Sequence, residues 1–165
     1  MPLWKEDLVH QKNETTPRGK VTDDILFHSK ALGYQVTYNV YTPSYITLTE
    51  VPVIYVTDGY EYMHPKLGDM ITVLDNLIAT KKIKPVIAVF IDHREPINRA
   101  NNRRMEELAM SERYLEFFAT EFIPMIEKKY PVAQGRENRA ILGNSMGGLT
   151  SAYFIFARPE VFGMA

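Results

Sequence analysis

The sequence predicts an α/β fold: a largely parallel sheet with helices against it, preceded by an antiparallel strand pair. Three observations point there. Val51-Pro52-Val53-Ile54-Tyr55-Val56 and Pro85-Val86-Ile87-Ala88-Val89-Phe90-Ile91 are unbroken apolar runs, the pattern of strands covered on both faces. Segments with helical period lie between such runs. A third run, Arg139–Leu142, stops at Gly143 and is followed by Asn144, Ser145, Met146 and two more glycines. Strands alternating with helices are joined by right-handed crossovers into a parallel sheet.

Residues 1–19 are polar and turn-rich, ending Thr16-Pro17-Arg18-Gly19, and read as an arm. Gly19–His28 and Tyr34–Tyr41 alternate polar and apolar residues, as half-buried strands do. In the second, Tyr34, Val36, Tyr38 and Val40 share one face, and Leu32-Gly33 makes the turn between the two. After the run at 51–56, Met70, Leu74, Leu77 and Ile78 mark one helix. After the run at 85–91, Ser111–Tyr130 marks another, with Leu115, Phe118, Phe122 and Ile126 on one stripe and Ser111 as N-cap. Pro124 should kink it, because proline removes a donor and clashes with the carbonyl of Thr120. A last helix runs from about Met146 to Arg158 and ends at Pro159.

Composition narrows the classes. A chain of 165 residues with 45% hydrophobic and 24% charged residues matches an ordinary globular domain. A net charge of −1 gives no strong pull on nucleic acid or anionic membrane, so neither is expected as a partner. No apolar run reaches the length of a membrane-spanning helix. The first residues lack the basic-then-apolar pattern of a signal peptide; a cytoplasmic location is the expectation, with secretion left open. Without cysteine, disulfide and thiolate chemistry are excluded.

Gly143-x-Ser145-x-Gly147 between a buried strand and a helix matches the turn that holds a nucleophilic serine at a sharp strand-to-helix bend. The flanking glycines let strand and helix pass closely. A helix starting just after the serine aims backbone N–H groups and the positive end of its dipole at a developing oxyanion, and Met146 N–H is the obvious donor. A second donor is expected from the loop after a neighbouring strand, here Val56-Thr57-Asp58-Gly59-Tyr60. The reading set against this one is a small-residue turn that merely packs strand on helix.

The stretches VPVIYVTDGYEY, KPVIAVFID, EFIPMIEKKYPV and RAILGNSMGGLTSAYFIFARPEVFG together resemble the putative-esterase family of α/β-hydrolases, which includes enterochelin esterases, feruloyl esterases, S-formylglutathione hydrolases and mycolyltransferases. FHSKALGYQVTYNVYTP resembles its opening strand pair. The resemblance covers residues 20–165 and identifies them as the N-terminal portion of an α/β-hydrolase domain, truncated after the helix that follows the serine. It implies serine ester hydrolysis through an acyl-enzyme at Ser145, with the N–H groups of Tyr60 and Met146 as oxyanion hole, a small-molecule ester as substrate, and no cofactor. Acyl transfer would use the same turn. The family's acid and histidine follow the serine in chain order, yet residues 146–165 contain neither Asp nor His. A longer protein, a complementing segment or loss of the chemistry would each account for that. The 165-residue chain alone is expected to be inactive, with its 139–143 strand left as an open edge that pairs with another copy or a complementing C-terminal segment.

Other polar residues are weighed against plainer roles. His10 and His28 read as structural. His93, at the end of a buried strand, stands where catalytic groups gather in open α/β sheets and is a candidate substitute base. His64, near the predicted oxyanion loop, is a candidate pocket residue. Arg94, Arg99, Arg103 and Arg104 cluster in one loop, and guanidinium groups suit carboxylate or phosphate recognition. Arg104 with Glu107-Leu108 resembles the family's pocket-side arrangement, so Arg104 is a candidate substrate-binding residue. A solvated, salt-bridged loop is the plainer reading. Tyr55, Tyr60 and Tyr62 are expected around the mouth. No tight spacing supports a metal site, and none is expected.

Overall fold

In the computed structural model, residues 8–44 and 50–165 are described, so the first seven residues of the arm lie outside the description. Six strands, β1 (Lys20–Val21), β2 (Ile25–His28), β3 (Gln35–Thr42), β4 (Val53–Val56), β5 (Ile87–Asp92) and β6 (Arg139–Leu142), form one mixed sheet. Its order is β1-β3-β5-β4-β6, with β2 also paired to β3. β4 is parallel to both β5 and β6, while β3 is antiparallel to β5.

The apolar runs are continuous because both faces are covered. On β5, Ile87, Val89 and Ile91 enter one core while Ala88 and Phe90 enter the other. On one side lies α2 (Met70–Ala79), contributing Met70, Leu74 and Ile78. On the other lie α3 (Arg104–Leu108), α4 (Glu112–Phe117), α5 (Ile123–Lys129) and α6 (Met146–Ala157). Their core is an aromatic cluster of edge-to-face, tilted and stacked pairs, with Phe122 edge-on to Tyr38 at 5.1 Å and Phe118 edge-on to Tyr55 at 5.7 Å. Tyr55 is therefore fully buried and does not line the mouth, contrary to the sequence expectation. The reason is its place on the strand: residues alternate faces, and Tyr55 shares that of Val53.

Two further expectations are corrected. The opening strand pair was expected to be half-buried, but β3 buries both faces, Thr37 and Asn39 included. It lies inside the sheet, against β5 as well as β1 and β2. The first strand of the pair is also broken in two. Val21 faces Tyr41 and Ile25 faces Tyr38, so one extra residue bulges between β1 and β2. The side chain of Asn39 bonds that bulge at Thr22 O (3.1 Å) and Asp24 (3.0 Å).

The long helix predicted over 111–130 runs as α4, one π-helical segment over Phe118–Phe122, and α5. Ser111 Oγ accepts Tyr114 N–H at 3.2 Å, as expected of an N-cap. The π segment answers Pro124: Ile123 N–H bonds Phe118 O, one residue further back than in an α-helix, widening the turn beside the ring. The arm packs on α2, where Asn76 Nδ2 bonds Val9 O at 2.7 Å and Gln11 O at 2.9 Å.

β6 is not bare on its outer side. Ile141 N–H donates to Met164 O at 3.0 Å and Gly163 N–H to Arg139 O at 3.2 Å, forming a parallel bridge. The edge expected to stand open is partly closed by residues 163–164. Once Pro159 has ended α6, the chain returns along β6, and Arg139 holds it by donating to Val161 O at 3.0 Å.

Candidate active site

Two strand-to-helix turns lie side by side at the C-terminal ends of the adjacent parallel strands β4 and β6. After β6, Gly143-Asn144-Ser145 leads into α6. Ser145 has φ 55° and ψ −118° and is exposed. A non-glycine residue in that region is strained, at a cost of about 1–3 kcal/mol. Gly147 N–H donates to Asn144 O at 2.9 Å and Leu149 N–H to Ser145 O at 3.0 Å, while no described residue accepts Met146 N–H.

After β4, Thr57-Asp58 leads into α1 (Gly59–Met63). Asp58 is also strained, at φ 53°, and Tyr60 lies in the first turn of α1, where N–H groups have no intrahelical acceptor. Thr57 fastens the two turns: its N–H donates to Leu142 O at 3.0 Å and its hydroxyl to the same oxygen at 3.3 Å. A Cβ on Gly143 or Gly147 would collide with Thr57 Oγ1. Gly59 needs its bare Cα as well, since a Cβ there would stand 2.7 Å from Ile91 N and Phe90 C.

Charge around the turns is paired. Arg104, at the start of α3, forks onto Asp58 with Nε–Oδ1 2.6 Å and Nη2–Oδ2 2.9 Å, and reaches Asn144 O at 3.3 Å. It bridges the two turns, and its guanidinium is held above its ordinary pKa chiefly by the hydrogen bonds to Asp58. Arg94 lies 3.7 Å over the Tyr60 ring and pairs with Asp92, as does Arg99. Burial pushes the Asp92 carboxyl up, but the hydrogen bonds and charge of Arg94, with Arg99 behind it, outweigh burial and hold it below its ordinary value.

A cleft of about 540 Å³ opens beside the turns, lined by Asp58, Glu61, Tyr62, Leu67, Gly68, Arg104 and Asn144. Arg104 reaches it with its charge already matched by Asp58. His64 caps the far end of α1, where its Nδ1 accepts Lys66 N–H at 3.1 Å and its ring stands 5.8 Å from Tyr60; it is not among the cleft residues. His93 is unsuited to act as a base toward Ser145, because it is buried and both nitrogens are engaged. Nε2 accepts Asp58 N–H at 3.1 Å and Nδ1 is hydrogen-bonded to Glu107. Sequence reasoning named Thr57 and Asp58 only as part of the loop leading to Tyr60, and Glu107 only beside Arg104, and gave none of them a bonding role in the turns. Asp58-Gly59 right after an apolar strand was the available signal, since that dipeptide marks a turn with positive φ. Among the described residues, no His, Asp and Glu group is arranged to hold a metal ion.

The model of the family described as "Putative esterase" matches residues 29–165. The chain belongs to this esterase family. Among curated relatives, it is 31% identical over 150 residues to an endo-1,4-beta-xylanase/feruloyl esterase of Xylanibacter ruminicola, covering 84% of this chain and 20% of that one. It is 28% identical over 148 residues to the uncharacterized protein YjcH of Bacillus subtilis, covering 89% and 60%. Among solved esterase structures, a ferulic acid esterase from the anaerobic fungus Anaeromyces mucronatus superposes with a TM-score of 0.78 at 23% identity, covering 98% of this chain and 62% of that one. The enterobactin esterase of Shigella flexneri gives 0.74 at 23%, covering 89% and 36%. The fold is thus that of the esterase α/β-hydrolases, and the chain spans less than two thirds of the length of each of these relatives.

Proposed function

We propose that this chain is the nucleophile-bearing portion of a serine carboxylic-ester hydrolase. The observation that carries the proposal is the exposed, strained Ser145 at the start of α6, beside the first turn of α1. In this reading Ser145 Oγ attacks the ester carbonyl. Met146 N–H and Tyr60 N–H, the unpaired donors of two neighbouring helix starts, stabilise the oxyanion. The alcohol leaves, and water releases the acid from an acyl-enzyme. The substrate occupies the cleft beside Asn144 and Tyr62. Hydrolysis is favoured over acyl transfer by the esterase names of relatives and structural neighbours alike.

The hydroxyl of Ser145 needs a base, and the described histidines do not provide one: His93 is tied to Asp58 and Glu107, and His64 to Lys66. A complete triad takes its acid and histidine from sequence after the serine; residues 146–165 hold no histidine, and their one acid, Glu160, is exposed and paired with Arg158. The 165-residue chain alone is therefore expected to show only the residual acceleration of an oxyanion hole, about 10³–10⁴ over water. The test is p-nitrophenyl acetate turnover by the natural protein, with mass spectrometry of the acyl adduct. We expect an adduct on Ser145 and loss of both adduct and turnover in Ser145→Ala. Turnover retained in that variant would overturn the assignment, and robust turnover by the 165-residue chain would reveal a base elsewhere.

A further inference from the structure

His93 and Glu107 are among the most buried titratable groups of the described chain, at 3% and 2% exposure, and the proposed chemistry does not use them. They come from two elements, the end of β5 and α3, and meet under the turn that carries Tyr60. A backbone N–H can only donate. Nε2 of His93, which receives Asp58 N–H at 3.1 Å, therefore carries no proton. The ring proton sits on Nδ1 and is given to Glu107 Oε2, which fixes one tautomer of a neutral imidazole. The other oxygen of Glu107 accepts Tyr34 hydroxyl at 2.8 Å, and the Tyr34 ring lies under Arg103 at 4.1 Å. The ring of Tyr114 closes the pocket at 5.8 Å from His93.

Every polar group of Asp58 is thereby held. Its N–H goes to His93, its carboxylate to Arg104, and its carbonyl accepts Glu61 N–H at 3.0 Å and Tyr62 N–H at 3.3 Å. Asp58 needs this restraint because its backbone is strained, and its conformation sets the direction of Tyr60 N–H two residues on. We propose that His93 and Glu107 are positioning residues for the oxyanion turn: the lone pair of His93 Nε2, oriented by Glu107, holds Asp58 in its left-handed conformation and so aims Tyr60 N–H. The inference rests on the reading of Tyr60 as an oxyanion donor. It gives His93 a role distinct from that of a base and from that of a passively satisfied core residue.

Two variants separate positioning from packing. His93→Phe keeps the ring volume and removes the acceptor; His93→Gln places an amide oxygen where Nε2 stands. In the natural protein, His93→Phe is expected to lower kcat about 10²-fold with KM little changed, the loss that follows from about 1 Å of misplacement, and His93→Gln to recover most of it. Independently of substrate, ¹⁵N NMR is expected to show an unprotonated Nε2 on His93 and a coupling across the hydrogen bond between that nitrogen and the Asp58 amide. Amide exchange at Asp58 should rise, and the Tyr60 amide resonance should shift, in the Phe variant only. A protonated Nε2, absence of the coupling, or equal behaviour of the Phe and Gln variants would overturn the proposal. Because the NMR and exchange readings need no turnover, an inactive parent would refute the esterase reading while the positioning of Asp58 and Tyr60 is still decided.

Discussion

Ser145 and Asp58 are strained, side-chain-bearing residues in the two adjacent strand-to-helix turns of the candidate site, with φ of 55° and 53°. Strain of this kind persists only where surrounding contacts enforce it. Ser145→Gly relaxes the backbone but adds chain entropy in the unfolded state; the net expectation is a gain of about 1 kcal/mol in stability with loss of any esterase activity. Urea unfolding checks it, and a destabilised variant would mean that the hydroxyl itself supports the turn. Asp92 makes a second residue-level prediction. Its carboxyl is held below its ordinary value in the folded chain, so its ion pairs stabilise the fold above the unfolded pKa of about 4. That contribution is lost as pH falls through the lower folded value. Asp92→Asn should be less stable than the parent at neutral pH, with the gap closing in acid, as followed by urea midpoints across pH.

Among elements, the helix that begins at Ser111 and the start of α1 depend on single small features. Ser111→Ala removes the acceptor of Tyr114 N–H and should cost about 1 kcal/mol, read from the thermal midpoint. Gly59→Ala presses a methyl group onto backbone atoms of β5, Ile91 N and Phe90 C. Backbone has little freedom to yield, so a loss of about 1–3 kcal/mol is expected, and the shift of α1 should also disturb the Tyr60 amide in NMR spectra. The helical stripe Leu115, Phe118, Phe122 and Ile126 was legible in the sequence because all four enter one core. Its π turn was not. Periodicity records which side chains are buried, whereas the widened turn depends on how the chain accommodates the Pro124 ring.

At the scale of the whole molecule, α6 is the least balanced element. It is apolar nearly all round, and Leu149 and Phe156, at 44% and 86% exposure, stand on a face that the described residues leave uncovered. A helix with this pattern is ordinarily enclosed, and exposed apolar surface beside a sheet edge favours association. Residues 163–164 have taken up part of that edge, so the expected association runs through the α6 face as much as through β6. Sedimentation of the 165-residue chain should show self-association that Phe156→Lys reduces; a monodisperse monomer binding no apolar dye would disprove it.

What the sequence determined by itself was whatever a short stretch encodes: the buried strands from their unbroken apolar runs, the helices from their period, and the Ser145 turn from Gly143 and Gly147 between strand and helix. The family resemblance rested on such stretches. Tertiary structure decided which strands lie inside the sheet, so that Tyr55 is core while Tyr60 is exposed. It also brought together Asp58, His93 and the Arg104–Glu107 pair of α3, which lie on three different stretches of the chain. No local pattern announces a network of that kind, because its partners are chosen by which strand ends the sheet order places side by side.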